Sequence, residues 1–161
     1  MVRVIKYIFF ILIIFGCEMN SKQIIKTEYF KYDYVQFNTV SKELLNNFTN
    51  QNSDQIIMSE IINYWFENRI KTDGFSGKLE VKVDQIDIDR IKEINYYKFT
   101  LRISISFVEF KSKNTKTEYT INATEFGEIE GNFSINDQEN LDINLMHKSI
   151  ESITRKLKDI N

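Results

Sequence analysis

Between Tyr97 and Phe107 every second residue is apolar, while Lys98, Thr100, Arg102, Ser104 and Ser106 fill the positions between. A two-residue period predicts a strand with one buried face and one wet face. The stretch before it repeats the pattern with Leu79, Val81 and Val83, then changes parity at Ile86 and Ile88. Because a one-residue slip turns every side chain to the other face, a bulge near Asp84 and Gln85 is predicted. After a polar turn from Lys111 to Thr115, the residues Tyr119, Ile121 and Ala123 resume the alternation. These three strands, joined by short connections, form an antiparallel meander. An aromatic-rich stretch, Tyr29 to Asn38, supplies a further strand.

Elsewhere the period lengthens to that of a helix. Ile57, Met58, Ile61, Ile62, Trp65, Phe66 and Ile70 lie on one face, with a capping box from Asn52 and Gln55 at the start and a break at Asp73-Gly74. Ser41 can cap a short helical turn through Leu44, Leu45 and Phe48. A second long helix runs from Asp137 to about Lys158, with Met146, Ile150, Ile153, Leu157 and Ile160 as its stripe and Asn136 with Glu139 as its cap. Acids near its start and bases near its end suit the helix dipole. The segment TEFGEIEGNFS between the last strand and this helix carries two glycines and reads as a loop. The expected fold is α+β and two-layered: a largely antiparallel four-stranded sheet with two helices on one face, in the order strand, helix, three strands, helix, over residues 28–161.

The amino terminus follows neither period. Arg3 and Lys6 precede an unbroken apolar run from Tyr7 to Phe15, followed by Gly16, Cys17 and the polar residues Glu18, Asn20, Ser21 and Lys22. The run is too short for a stable membrane span, which takes roughly 20 apolar residues, and has the layout of a secretory leader. Its end, Ile14-Phe15-Gly16-Cys17, resembles a bacterial lipobox. The resemblance implies cleavage after residue 16 and two or three acyl chains on Cys17, enough for stable anchoring. Residues 17–27 then form a tether, which extended would reach roughly 30 Å from the bilayer.

Composition narrows the chemistry. At 161 residues, 42% hydrophobic and 27% charged, the chain is one globular domain with its leader. A net charge of -2 gives no footprint for nucleic acid, and loss of Arg3 and Lys6 with the leader makes the rest more acidic. One cysteine excludes an internal disulfide. The only histidine, His147, sits beside the stripe of the last helix with Glu151 one turn on, and is expected to be a half-exposed helix residue. Asp84, Asp87 and Asp89 alternate with isoleucines in a strand and lack the glycine turn and closing glutamate of a calcium loop. Glu125, Glu128 and Glu130 share the expected loop, where they face water or form an oxygen-rich cation cluster. No catalytic residue, cofactor or metal site is expected. Sequons at Asn47, Asn122 and Asn132 are chance matches in a chain rich in Asn, Ser and Thr. Tyr29, Tyr32 and Tyr34 make the first strand an aromatic edge able to recruit a partner.

The leader ending at Cys17, with this order of elements, resembles small Gram-negative envelope lipoproteins: in architecture the LPS-assembly lipoprotein or auxiliary lipoproteins of ABC-type envelope transporters. The stretches IINYWFENRI, GKLEVKVDQIDI and YKFTLRISISFVEF and the closing helix are similar to an alphaproteobacterial lipoprotein group. The resemblance carries over one residue, Cys17. It implies a protein anchored in the membrane through lipid on Cys17 and facing the periplasm, a non-enzymatic accessory or assembly factor of an envelope transport complex with a protein or lipid partner. An alternative is an anchored binding domain for a small lipid or amphiphile held between sheet and helices. Glu18 stands where aspartate would signal inner-membrane retention, so the outer membrane is expected.

Overall fold

The computed structural model describes residues 34–46, 52–112 and 114–160. The leader, Cys17, the tether, Tyr29, Tyr32 and Asn47 lie outside the described residues. The strands are β1 (Val35–Phe37), β2 (Ser41–Asn46), β3 (Ile70–Thr72), β4 (Lys78–Glu93), β5 (Tyr96–Ser112) and β6 (Thr115–Glu130). The helices are α1 (Ser53–Arg69) and α2 (Ile135–Ile160). The main sheet has four strands in the order β2-β4-β5-β6, parallel between β2 and β4 and antiparallel elsewhere. It is the expected α+β fold.

The meander forms as its alternation dictates. Leu79, Val81 and Val83 face the helices, the register shifts between Val83 and Gln85, and Ile86 continues the buried face. Without the bulge Ile86 and Ile88 would point into water. The capping box at the start of α1 is present: Gln55 N–H donates to Asn52 Oδ1 at 2.9 Å and Asn52 N–H to Gln55 Oε1 at 3.3 Å.

Five local expectations are corrected. Residues 41–46 form β2 and not a helical turn. A turn that short is marginal by itself, whereas as a strand it hydrogen-bonds β4 and sets Leu44 beside Val81. Among the described residues the expected first strand is β1, which pairs in parallel with β3 in a separate two-stranded sheet, so it is no edge of the main sheet. Ile70 leaves the helix and opens β3. The expected loop is the second half of β6, in which glycine has a packing role: a Cβ on Gly127 would come within 2.8 Å of Leu141 Cδ1 and 3.0 Å of Leu145 Cδ1, so its absence lets α2 lie close. The cap of α2 is also displaced, to Ser134 and Asp137, with Ser134 N–H donating to Asp137 Oδ2 at 2.7 Å and Asp137 N–H to Ser134 Oγ at 3.2 Å.

Both helices cover the same face of the sheet. Met58, Ile61, Ile62 and Trp65 of α1, and Met146, Ile150, Ile153 and Leu157 of α2, join the buried residues of β4 and β5 in one cluster. Ile160, expected in this stripe, is exposed. Phe37 stacks on Phe107 with centroids 6.3 Å apart, and Phe107 on Tyr119 at 5.5 Å. Trp65 meets Phe107 edge-on at 6.4 Å, while its Nε1–H donates to Thr154 Oγ1 at 2.9 Å, tying the helices together. The space in which an amphiphile was expected, between sheet and helices, is therefore filled by close-packed side chains.

Candidate functional site

Two inward positions carry charge instead of carbon. After Ile86 and Ile88 the same face of β4 presents Arg90, opposite Phe99 of β5. Its guanidinium lies over the Phe99 ring at 5.0 Å and binds Asp54 on α1 through two bonds, 2.6 Å from Nη1 and 2.9 Å from Nη2. It also donates to Asp142 Oδ2 on α2, 2.8 Å from Nη2 and 3.0 Å from Nε. Tyr97 O–H donates to Asp142 Oδ1 at 2.8 Å. Asp142 is 8% exposed. Burial pushes its carboxyl up against the opposing pull of Arg90 and Tyr97. Burial and the bond to Asp142 push the Tyr97 phenol up to about 12. For Arg90, burial works against the charge, but the bonds to Asp54 and Asp142 outweigh it and hold the guanidinium charged. This knot locks α1, α2 and the sheet together. Each member is engaged by another.

A second fastening lies at the other end of α1. Lys42 Nζ, on β2, donates to the carbonyls of Phe66 at 2.7 Å, Ile70 at 2.9 Å and Glu67 at 3.2 Å, which caps the helix C-terminus. Burial lowers its affinity for the proton.

The sheet's other face is open and polar. Its rows set Lys82 beside Ser106 and Thr120, and Glu80 beside Val108 and Glu118. A shallow depression of 430 Å³ lies over these rows, bordered by Leu45, Phe110 and Lys116. At its floor Ser106 Oγ donates to Asp84 and meets Thr120 Oγ1 at 2.7 Å. The depression can hold a ligand by complementary polar contact.

The residues singled out from sequence are dispersed. Asp84 is held by Ser106, Asp87 accepts from Gln85 Nε2 at 2.7 Å, and Asp89 accepts from Arg102 Nη1 at 2.9 Å. Strand alternation splits the three glutamates, because Glu125 points toward α2 beside Lys148 and Arg155 while Glu128 and Glu130 lie on the open face. Glu128 accepts from Tyr96 O–H at 3.0 Å. His147 is 2% exposed and thus buried, not half-exposed. Glu151 lies in the groove with Lys148. Tyr34 precedes β1 and is exposed. Among the described residues no group of three or more His, Cys, Asp or Glu could hold a metal ion, and no helix is long and apolar enough to cross a membrane.

Both ends of the sheet expose apolar side chains, Val40 and Phe75 among them where the chain enters. At one, the chain enters: Val40 N–H donates to Gly77 O at 3.3 Å, beside Phe110 of β5. At the other, the β4–β5 turn at Ile94 and Asn95 projects from the sheet, with Ile94 95% and Phe126 65% exposed and Ile91 half-exposed. Lys98 Nζ lies 5.8 Å from the Phe126 centroid. From the strand rise, the 16 residues of β4 separate these ends by about 50 Å.

No protein-family model matches the chain, and no curated protein matches it. Among solved structures it is similar to a minor lipoprotein from Acinetobacter baumannii, at 14% identity and a TM-score of 0.45 over 73% of this chain and 89% of that one. It is also similar to the rare lipoprotein B from Shewanella oneidensis, at 8% identity and a TM-score of 0.43 over 74% of this chain and 92% of that one. A likeness of this degree assigns neither activity nor partner.

Proposed function

We propose that the protein is an envelope lipoprotein, anchored in the outer membrane through lipid on Cys17, whose periplasmic domain serves as a non-enzymatic accessory factor for an envelope transport or assembly complex. The leader and its boundary cysteine support the anchor. The observation that carries the accessory role is the exposure of Ile91, Ile94 and Phe126 on the half of the sheet that leads to the β4–β5 turn, away from Gly77; Val40 and Phe75 are exposed at the entry end as well. An anchored domain built this way holds the β4–β5 turn away from the bilayer, and exposed apolar groups on an otherwise polar surface favour a protein contact.

Site-specific photo-crosslinking in living cells tests this reading. A crosslinking residue in place of Ile94 or Phe126 is expected to capture a discrete envelope protein, while the same residue at the exposed Glu139 of α2 captures none. Absence of a discrete adduct from both Ile94 and Phe126 would overturn it.

A further inference from the structure

β6 is the terminal strand of the main sheet, 16 residues long and free of proline, and among the described residues no strand pairs with its outer side. Its parity is fixed at two points. Gly131 N–H donates back to Asn95 O at 2.9 Å, so the odd-numbered residues turn their backbone groups toward β5. The Asn122 carbonyl instead receives Lys156 Nζ at 2.6 Å, from outside the sheet. The uninterrupted register from Lys116 to Glu130 extends this alternation. The even-numbered residues therefore offer N–H and C=O groups along an open edge, a template for another strand.

We propose that a second copy of this chain occupies that edge, with β6 pairing antiparallel to its counterpart about a two-fold axis at Asn122. The two four-stranded sheets become one. In this register Lys116 of each copy lies opposite Glu128 of the other, Glu118 opposite Phe126, Thr120 opposite Thr124, and Asn122 opposite itself. The Lys116–Glu128 pairs are thus complementary at both ends of the ladder, with the hydrogen-bonding Thr120–Thr124 and Asn122–Asn122 pairs at its centre. A slip of two residues one way keeps a Lys–Glu pair, Lys116 with Glu130, but sets Glu118 against Glu128, and a slip the other way leaves Lys116 and Glu128 without counter-charges. Such an isologous contact closes on itself. Lys156, beside Asp159 on the rim of α2, gives up the Asn122 carbonyl to the partner's Asn122 N–H, and its ammonium guards the edge in the single copy.

The test is sedimentation velocity of the full chain purified in density-matched detergent micelles over the micromolar range. The wild type is expected to be a dimer. Lys116→Glu or Glu128→Lys alone reverses two symmetry-related pairs and should weaken association about tenfold, and the two together should restore it, because each new charge again meets its opposite across the axis. Both positions are at the surface, and circular dichroism checks that the fold is kept. A wild type monomeric throughout, a dimer that survives both single reversals, or a double variant that stays monomeric would each overturn the proposal.

Discussion

Arg90→Met removes the guanidinium from the knot while leaving an unbranched apolar stem over Phe99. Asp142, with its side chain 11% exposed, then keeps its charge with only Tyr97 O–H as a direct partner. Breaking a buried pair costs about 3–5 kcal/mol, but the Arg90 side chain is 34% exposed, and solvent screening reduces the expected cost to about 2 kcal/mol. Urea unfolding followed by fluorescence of Trp65, the only tryptophan, reads this directly. Asp142→Asn alone should cost less, since an amide still accepts from Tyr97. The double variant should be more stable than the sum of the single effects by at least about 1 kcal/mol. The pH dependence adds an independent sign. A carboxyl whose folded pKa is raised stabilises the fold at pH below its unfolded value and loses that contribution as pH rises through the folded one. Without Arg90 the Asp142 carboxyl rises further, so the deficit of Arg90→Met should shrink as pH falls. A loss under about 0.5 kcal/mol, strict additivity, or a deficit that grows on acidification would refute the reasoning.

Two further predictions concern other parts of the fold. Gly77 has φ of 87°, and a Cβ there would come within 2.4 Å of the Phe110 carbonyl oxygen, a backbone atom. Gly77→Ala should cost about 2 kcal/mol or more, and Gly127→Ala less, because the Leu141 and Leu145 methyls it meets can move; equal midpoints in urea would contradict this. Tyr97 and Tyr119 have phenols pushed up from 10 to about 12, chiefly by burial. Their contribution is whole below pH 10 and is lost as pH climbs through 12, so stability should fall across that window and ultraviolet titration should show a late-ionising class among the eight tyrosines. A single transition near 10 in the folded protein would count against the buried placement.

The sequence was most informative where one period ran long. The alternation of β5, the bulge in β4 and the Asn52 and Gln55 box of α1 each have a strictly local cause, and each is present. The short pieces were illegible for the opposite reason. Ser41–Asn46 has two adjacent leucines that suit a turn or a strand, and only a parallel partner from beyond α1 decides between them. Glycine in β6 read as a loop signal because its cause, the approach of α2, lies elsewhere in the fold. The knot left a fainter trace: Arg90 continues the inward parity of Ile86 and Ile88, and Asp142 interrupts the buried side of α2. Charge at an inward position is a signal, but its partners on three elements cannot be read from spacing. The dispersal of the three glutamates was legible in principle, since strand alternation alone separates Glu125 from Glu128 and Glu130.

The measurement that bears most directly on the account is palmitate labelling of cells expressing the wild type or Cys17→Ala, with mass spectrometry of the mature amino terminus and separation of inner and outer membranes. The account predicts label in the wild type alone, a mature chain beginning at acylated Cys17, and recovery in the outer-membrane fraction. An unmodified cysteine on a protein recovered in the soluble fraction would contradict it.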